Sequence, residues 1–325
     1  MRLARRKFLH LTAGVTALAG SSRLRAAETD FPNRPVRLII GYPAGIQPDV
    51  IARIVAPAIG EQLGQPVVVE NRPGAGTNLG TEFVVRATAD GYTLLLVPVA
   101  TAAANATLYL KLKFNFIRDI MPVASIGGSP LVLVATPSLP ATTIPEFIAY
   151  AKSHPAQINM ASTGVGTAPD LAGELFNMMA GVKLINVPYR TNFMQDLVGG
   201  QVQVSFPGVL TVAGYITDGK LRTLGVTGAK RSAAYPDIPA IGEFVPGYEV
   251  TSWYGIGAPK DTPLAIVDKI NAAVAAAIAA PDTKARLAKL GFETRQMKPA
   301  EFGRLIADET KKWEKVVKFS GVKMD

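Results

Sequence analysis

Apolar residues in this chain come in short dense runs that alternate with longer, helically spaced patterns, and glycine or proline separates them. Val36-Arg37-Leu38-Ile39-Ile40 reads as a buried strand, and Gly41 to Pro48 as the loop that ends it. Val50, Ile51, Ile54, Val55, Ala58 and Ile59 then repeat at helical spacing, with Asp49 placed to cap that helix. Gly64-Gln65-Pro66 breaks it, and Val67-Val68-Val69 is the next strand. The loop Asn71 to Thr77 leads to a helix through Phe83, Val84 and Ala87, and Asp90-Gly91 turns into a strand over Tyr92 to Val97. This alternation predicts parallel βαβ crossovers.

A second series starts near Ser129. Leu131 to Ala135 and Ile158 to Ala161 read as strands, with a helix between them opened by Thr143-Ile144-Pro145-Glu146. The loop Ser162 to Thr167 precedes a helix over Asp170 to Met179. A strand ending at Tyr189, a helix around Asp196, and strands over Val202 to Phe206 and Leu221 to Val226 follow. Tyr248 to Gly257, with Trp253 and Tyr254, reads as a strand crossing back to the first unit. Two helices close the chain, one through Leu264, Val267, Ile270, Val274 and Ile278, the other through Phe302, Ile306, Trp313 and Val317. The expected organisation is a leader over 1–27, a first lobe over 28–128, a second over 129–251, and a return over 252–325. No fixed-period repeat or low-complexity tract appears.

The leader changes the reading of charge. Arg5-Arg6-Lys7-Phe8-Leu9 is a twin-arginine run, followed by a short apolar segment and then Arg25-Ala26-Ala27, the order of an export signal cleaved after Ala26 or Ala27. It holds six basic residues and no acidic one, so its removal leaves 28 basic against 25 acidic residues, a net charge of +3. The basic whole-chain balance is therefore mostly the leader, and no nucleic-acid partner is expected. With no cysteine in the chain, an exported protein must rely on its apolar core rather than on disulfides. His154 is the one histidine left after export, so no metal is expected.

Hydrolytic chemistry is disfavoured. There is no His-Glu-x-x-His, no Gly-x-Ser-x-Gly elbow and no thiol nucleophile. Gly74-Ala75-Gly76-Thr77-Asn78-Leu79-Gly80 has one residue too many for a dinucleotide loop, and no cofactor is expected. What the glycine loops share is position: each places backbone N–H groups at a helix start, where the dipole favours an anion. Pro43-Ala44-Gly45 and Ser162 to Thr167 belong to different lobes. Facing one another they would hold an organic anion without Arg or Lys, and Ser162, Thr163 and Thr167 would add hydroxyl donors.

At these loops the chain resembles the substrate-binding receptors of tripartite tricarboxylate transporters, the Bug-type periplasmic proteins. The matching segments run in order through the chain after its leader: Phe31-Pro32-Asn33-Arg34-Pro35-Val36, Tyr42-Pro43-Ala44-Gly45 with Asp49, Val68 to Gly76, Asp90 to Leu95, Gly164-Val165-Gly166-Thr167, Leu171-Ala172-Gly173-Glu174, Val187-Pro188-Tyr189, Gly199-Gly200-Gln201-Val202, Ala258-Pro259 and Leu290-Gly291. The resemblance implies an α/β, two-lobed periplasmic-binding-protein architecture of the type II, Venus-flytrap kind, each lobe a mostly parallel sheet flanked by helices. It also implies a monomeric periplasmic receptor, not an enzyme, that closes over a small carboxylate and delivers it to membrane permease subunits. The implied ligand-binding set is Tyr42, Pro43, Ala44, Gly45, Ile46, Asp49, Ala100, Thr101, Ser162, Thr163, Gly164, Val165, Gly166, Thr167, Tyr189 and Pro207. A receptor that signals to a membrane partner, or an exported organic-acid enzyme, are the alternatives.

Departures from the family pattern bear on specificity. Ile46 stands where the family usually has a second glycine, and Pro48 where it has a threonine. Tyr189-Arg190-Thr191 stands for the usual Tyr-Lys-Gly, and Phe206-Pro207 for a Phe-Asp strand end. An acidic residue at the last position could pair with an ammonium, and Pro207 cannot. The expected ligand is an acid with an apolar or aromatic body and no ammonium group.

Overall fold

The computed structural model describes residues 30–189, 192–232 and 235–325. The expected leader, its cleavage positions, and Arg190 and Thr191 lie outside the described residues. Strand β1 (Val36–Ile40) feeds helix α1 (Gln47–Leu63), which buries the stripe Ile51, Val55 and Ile59. Then come β2 (Val67–Asn71), α2 (Asn78–Val85) and β3 (Thr93–Pro98). β1 lies between β2 and β3 and is parallel to both, as the alternating pattern requires. Helical turns at Ala100–Ala104, Asn105–Leu108 and Phe116–Asp119 lead into a long strand, β4 (Ile120–Pro130).

The chain then builds a second sheet. Its elements are β5 (Val132–Ala135), α3 (Ile144–Ser153), β6 (Ile158–Ser162), α4 (Ala168–Ala180), β7 (Leu184–Pro188), α5 (Met194–Val198), β8 (Val204–Ser205), α6 (Val209–Thr217) and β9 (Arg222–Val226). Thr143 and Glu146 form the capping box that starts α3. The chain returns through β10 (Thr251–Pro259), followed by α7 (Leu264–Ala279), α8 (Pro281–Ala288), β11 (Glu293–Thr294) and α9 (Pro299–Ser320). Strand order is β11-β4-β10-β3-β1-β2 in the first sheet and β7-β6-β8-β5-β9 in the second. The chain leaves the first sheet at Pro130 and re-enters it at Thr251, directly opposite in the ladder.

Two expectations need correction, and one strand has no counterpart in the sequence pattern. The sheets are mixed rather than mostly parallel, because β10 runs antiparallel to β3 and β4, and β5 antiparallel to β8 and β9. β10 re-enters the first sheet at the end where β3 and β4 leave it, so it must run antiparallel to both. The whole of β4 escapes a reading by pattern, since Pro122, Gly127, Gly128 and Pro130 look like breakers. β4 tolerates them through register shifts against β10, and a Cβ on Gly127 would stand 2.1 Å from the Glu293 carbonyl oxygen, so only glycine lets β11 pack there. The carboxy-terminal part holds three helices rather than two: α8 starts at Pro281 and separates α7 from β11.

One apolar cluster runs through both sheets. Ile39, Leu95 and Val97 from the first join Leu133, Ala135, Phe147 and Phe176 around the second. Phe302, Trp313 and Val316 of α9 belong to the same cluster, with Trp313 fully buried. The Trp313 indole donates to Glu309 Oε2 at 2.8 Å and that of Trp253 to the same oxygen at 3.2 Å. Among the described residues no single helix is long and apolar enough to cross a membrane.

Candidate functional site

The carboxyl ends of β1 and β6 open on a common cleft of about 700 Å³ between the sheets. Each strand is followed by the same five-residue turn: Gly45-Ile46-Gln47-Pro48-Asp49 before α1, and Gly166-Thr167-Ala168-Pro169-Asp170 before α4. Both glycines have positive φ, +86° and +78°, which a side chain disfavours. Ile46 and Thr167 are the N-cap residues, and proline at the second helical position gives up an N–H that would have no partner there. The aspartate at the third position folds back onto the glycine: Gly45 N–H donates to Asp49 Oδ2 at 2.8 Å, and Gly166 N–H to Asp170 Oδ2 at 2.7 Å. Asp49 is therefore not the cap of its helix but the brace of the turn before it. The amides of Gln47 and Ala168, first in their helices, have no intrahelical acceptor, and both residues line the cleft.

The two braces differ electrically. Asp49 also accepts from Arg53 Nε at 2.9 and 3.0 Å and from Asn71 Nδ2 at 2.9 Å. Burial alone would raise its carboxyl, but these bonds prevail and hold it at about 2. Asp170 is 5 % exposed and accepts only from Gly166 among the described residues. Burial, aided by the negative charge of Glu174, pushes its carboxyl up to about 7 against the pull of that single bond.

Of the residues named from sequence, Tyr42, Pro43, Gly45, Ile46, Ala100, Thr163, Thr167, Tyr189 and Pro207 line the cleft. The structure does not bring the others to it. Asp49 is buried behind Gly45, and Gly166 packs toward Leu108. Ser162 is fully buried and receives the Gly164 amide at 3.4 Å, while Gly164 offers its carbonyl to the Thr167 hydroxyl at 2.6 Å. Val165 packs on the main apolar cluster and Ala44 lies exposed outside the lining. Thr101 is buried, its hydroxyl bonded to that of Thr77. Loop sequence alone does not say which side of a turn faces the cleft.

Residues that sequence reasoning missed complete the walls. Ser252 and Tyr254 come from β10, Asn192 and Phe193 from the segment before α5, and Gly208 and Thr211 from the start of α6. The repeated Gly-x-x-Pro-Asp turn gives no signal for these, and marks instead Gln47, Pro48, Ala168 and Pro169, which line the cleft as well. Tyr189 donates its hydroxyl to Asp196 at 2.7 Å, a bond that pushes its phenol up to about 12, so it presents its ring to the cleft. Phe193 packs beside it, ring centroids 5.8 Å apart. The Tyr42 and Tyr254 phenols, also in the lining, are both raised, chiefly by burial, and stay protonated. Thr163 and Thr167 are engaged with one another at 3.2 Å. None of the described side chains lining the cleft is charged, and no group of three His, Cys, Asp or Glu able to hold a metal occurs among the described residues.

Comparison with known proteins gives a consistent answer. Residues 51–322 match the sequence profile of the family described as "Tripartite tricarboxylate transporter family receptor". BugT of Bordetella pertussis is 33% identical over 312 residues, which cover 95% of either chain. The R. palustris protein Rpa4515, solved with adipate, superposes with a TM-score of 0.81 at 33% identity, covering 90% of this chain and 99% of its own. The periplasmic binding protein BugD superposes with a TM-score of 0.78 at 32% identity, covering 91% of this chain and 100% of its own.

Proposed function

Because this chain belongs to the tripartite tricarboxylate transporter receptor family, we propose that it binds one small organic carboxylate between its two sheets and hands it to a permease of that transporter type. The family is one of periplasmic solute-binding receptors, not of enzymes. The observation that carries the reading is the pair of helix starts, α1 and α4, whose first residues, Gln47 and Ala168, line one cleft with no charged side chain among its described residues. Helix-start amides, with the helix dipoles behind them, neutralise a carboxylate without a basic side chain. The Tyr42 and Tyr254 hydroxyls add neutral donors.

The ligand body is proposed to be apolar or aromatic and to lack an ammonium group. Ile46 and Pro207, the two departures that remove polar capacity, both line the cleft, and the Tyr189 and Phe193 rings form an aromatic wall. Adipate, the acid in the Rpa4515 structure, has such an apolar chain. An amino acid would bury its ammonium against no described carboxylate, at a cost of several kcal/mol. Export of the protein and removal of its leader near Ala26 or Ala27 complete the proposal, and amino-terminal sequencing of the periplasmic form checks that step.

A calorimetric competition panel tests the ligand reading. Benzoate, phenylacetate and adipate should bind more tightly than malate, and aspartate and glutamate should fail at micromolar concentration. Tight, selective binding of an amino acid would refute the class, and no binding by any carboxylate at millimolar concentration would refute the site.

A further inference from the structure

The two Gly-x-x-Pro-Asp turns repeat one geometry with unequal charge. In the first, the Asp49 carboxylate that braces Gly45 is balanced by the Arg53 guanidinium. In the second, Asp170 braces Gly166 and pairs with no cation among the described residues. Glu174, one turn further along α4, adds a second negative charge. The strands flanking α4 bring no ionisable side chain, since β6 and β7 carry only Asn159 and Asn186 as amide-bearing residues. From α9, packed across α4, Glu309 is bound to the Trp253 and Trp313 indoles, Lys312 to the Glu249 carbonyl and Glu309, and Lys311 to Asp308. The Tyr248 hydroxyl donates to the Ala172 carbonyl at 3.0 Å and stays neutral. Asp170 Oδ1 has no hydrogen-bond partner among the described residues, whereas Oδ2 holds the Gly166 amide.

The next residues along the turn, Thr167 to Pro169, line the cleft. An anion brought to the Ala168 amide therefore competes with the Asp170 carboxylate for the same helix dipole, in a partly dry site where charges are poorly screened. A proton on Oδ1 ends that competition and leaves Oδ2 free to hold Gly166. We propose that the receptor takes up its carboxylate together with one proton, which Asp170 holds behind the Gly164–Thr167 turn. The proton comes from solvent and forms one O–H bond, and the first turn needs none because Arg53 already compensates Asp49. The geometry is that of a buried, half-partnered carboxyl, and its position near neutral pH supports the reading.

This inference rests on the carboxylate reading of the cleft, and one experiment separates them. Benzoate, ionised throughout the range, is titrated calorimetrically into the mature protein at about pH 8, in phosphate and in Tris, whose ionisation heats differ. The apparent enthalpy should depend on the buffer and give proton uptake approaching one per benzoate. Affinity should fall up to about tenfold per pH unit above pH 7. Asp170→Asn, which keeps an oxygen for Gly166, should bind benzoate with no buffer dependence and a flat pH profile, while Glu174→Gln should still take up the proton. Benzoate binding to the unmodified protein without proton uptake overturns the inference and leaves the receptor reading intact. So does uptake that persists in Asp170→Asn. If neither benzoate nor adipate binds, the carboxylate reading falls, and this inference with it.

Discussion

Replacing Asp170 by asparagine should stabilise the unliganded protein at high pH, and the size of the effect follows from its surroundings. The carboxyl stands at about 7 in the folded chain against an ordinary 3.8. A raised folded-state value means that folding favours the protonated form. The stability it contributes is complete below pH 4 and is lost as pH rises through 7. Some three units at about 1.4 kcal/mol each put the penalty on the ionised group at roughly 4 kcal/mol near pH 8. Two terms oppose the gain from removing it. The helix start favours a negative charge by about 1 kcal/mol, and an unpaired asparagine N–H costs about another 1 kcal/mol. Asp170→Asn should therefore be about 2 kcal/mol more stable than the unmodified protein at pH 8 and about level with it at pH 5. Urea unfolding followed by circular dichroism at both pH values measures this directly. Equal destabilisation at the two pH values would refute the claim that the buried carboxylate is penalised.

Further outcomes follow from the packing around Gly45, Gly166 and Glu309. A Cβ on Gly166 would meet Leu108 Cδ2 at 2.5 Å, whereas one on Gly45 meets nothing within 4 Å, although both have positive φ. Gly45→Ala should cost about 1 kcal/mol in urea unfolding and Gly166→Ala about 2 kcal/mol, and equal costs would mean that Leu108 yields freely. Glu309→Ala leaves two indole N–H groups, one on the fully buried Trp313, without their acceptor. It should cost about 2 to 3 kcal/mol, and a loss under about 0.5 kcal/mol would show that water replaces the carboxylate.

The parts of the fold legible in sequence were those in which one face is buried at a regular period. α1 and β1 are readable from Val36 to Ile59 because burial there follows the apolar pattern. Elements shaped by close backbone approach were not. β4 looks broken by its prolines and glycines, yet those residues let β10 and β11 lie against it. α6 begins Val209-Leu210-Thr211-Val212, in which Val209, Thr211 and Val212 favour strands, and tertiary context makes it a helix. At the site, periodicity brought out the two glycine loops as helix starts. It could not distinguish Thr163, which faces the cleft, from Ser162 beside it, which is fully buried. Nor could it foresee Phe193, Thr211 or Tyr254, which reach the cleft from segments far apart in the chain.

The apolar cluster shared by both sheets bears on how the protein comes apart. Trp313 and Phe302 of α9 lie in the same packed interior as Phe147 and Phe176 beside the second sheet, so the two sheets share one apolar cluster in addition to the cluster each has on its other face. The two crossings near Pro130 and Thr251 are therefore not places to cut. Separating the halves would expose the faces that α9 covers, so heat should melt the chain in a single cooperative step. A carboxylate bound in the cleft would then raise one melting temperature for the whole molecule.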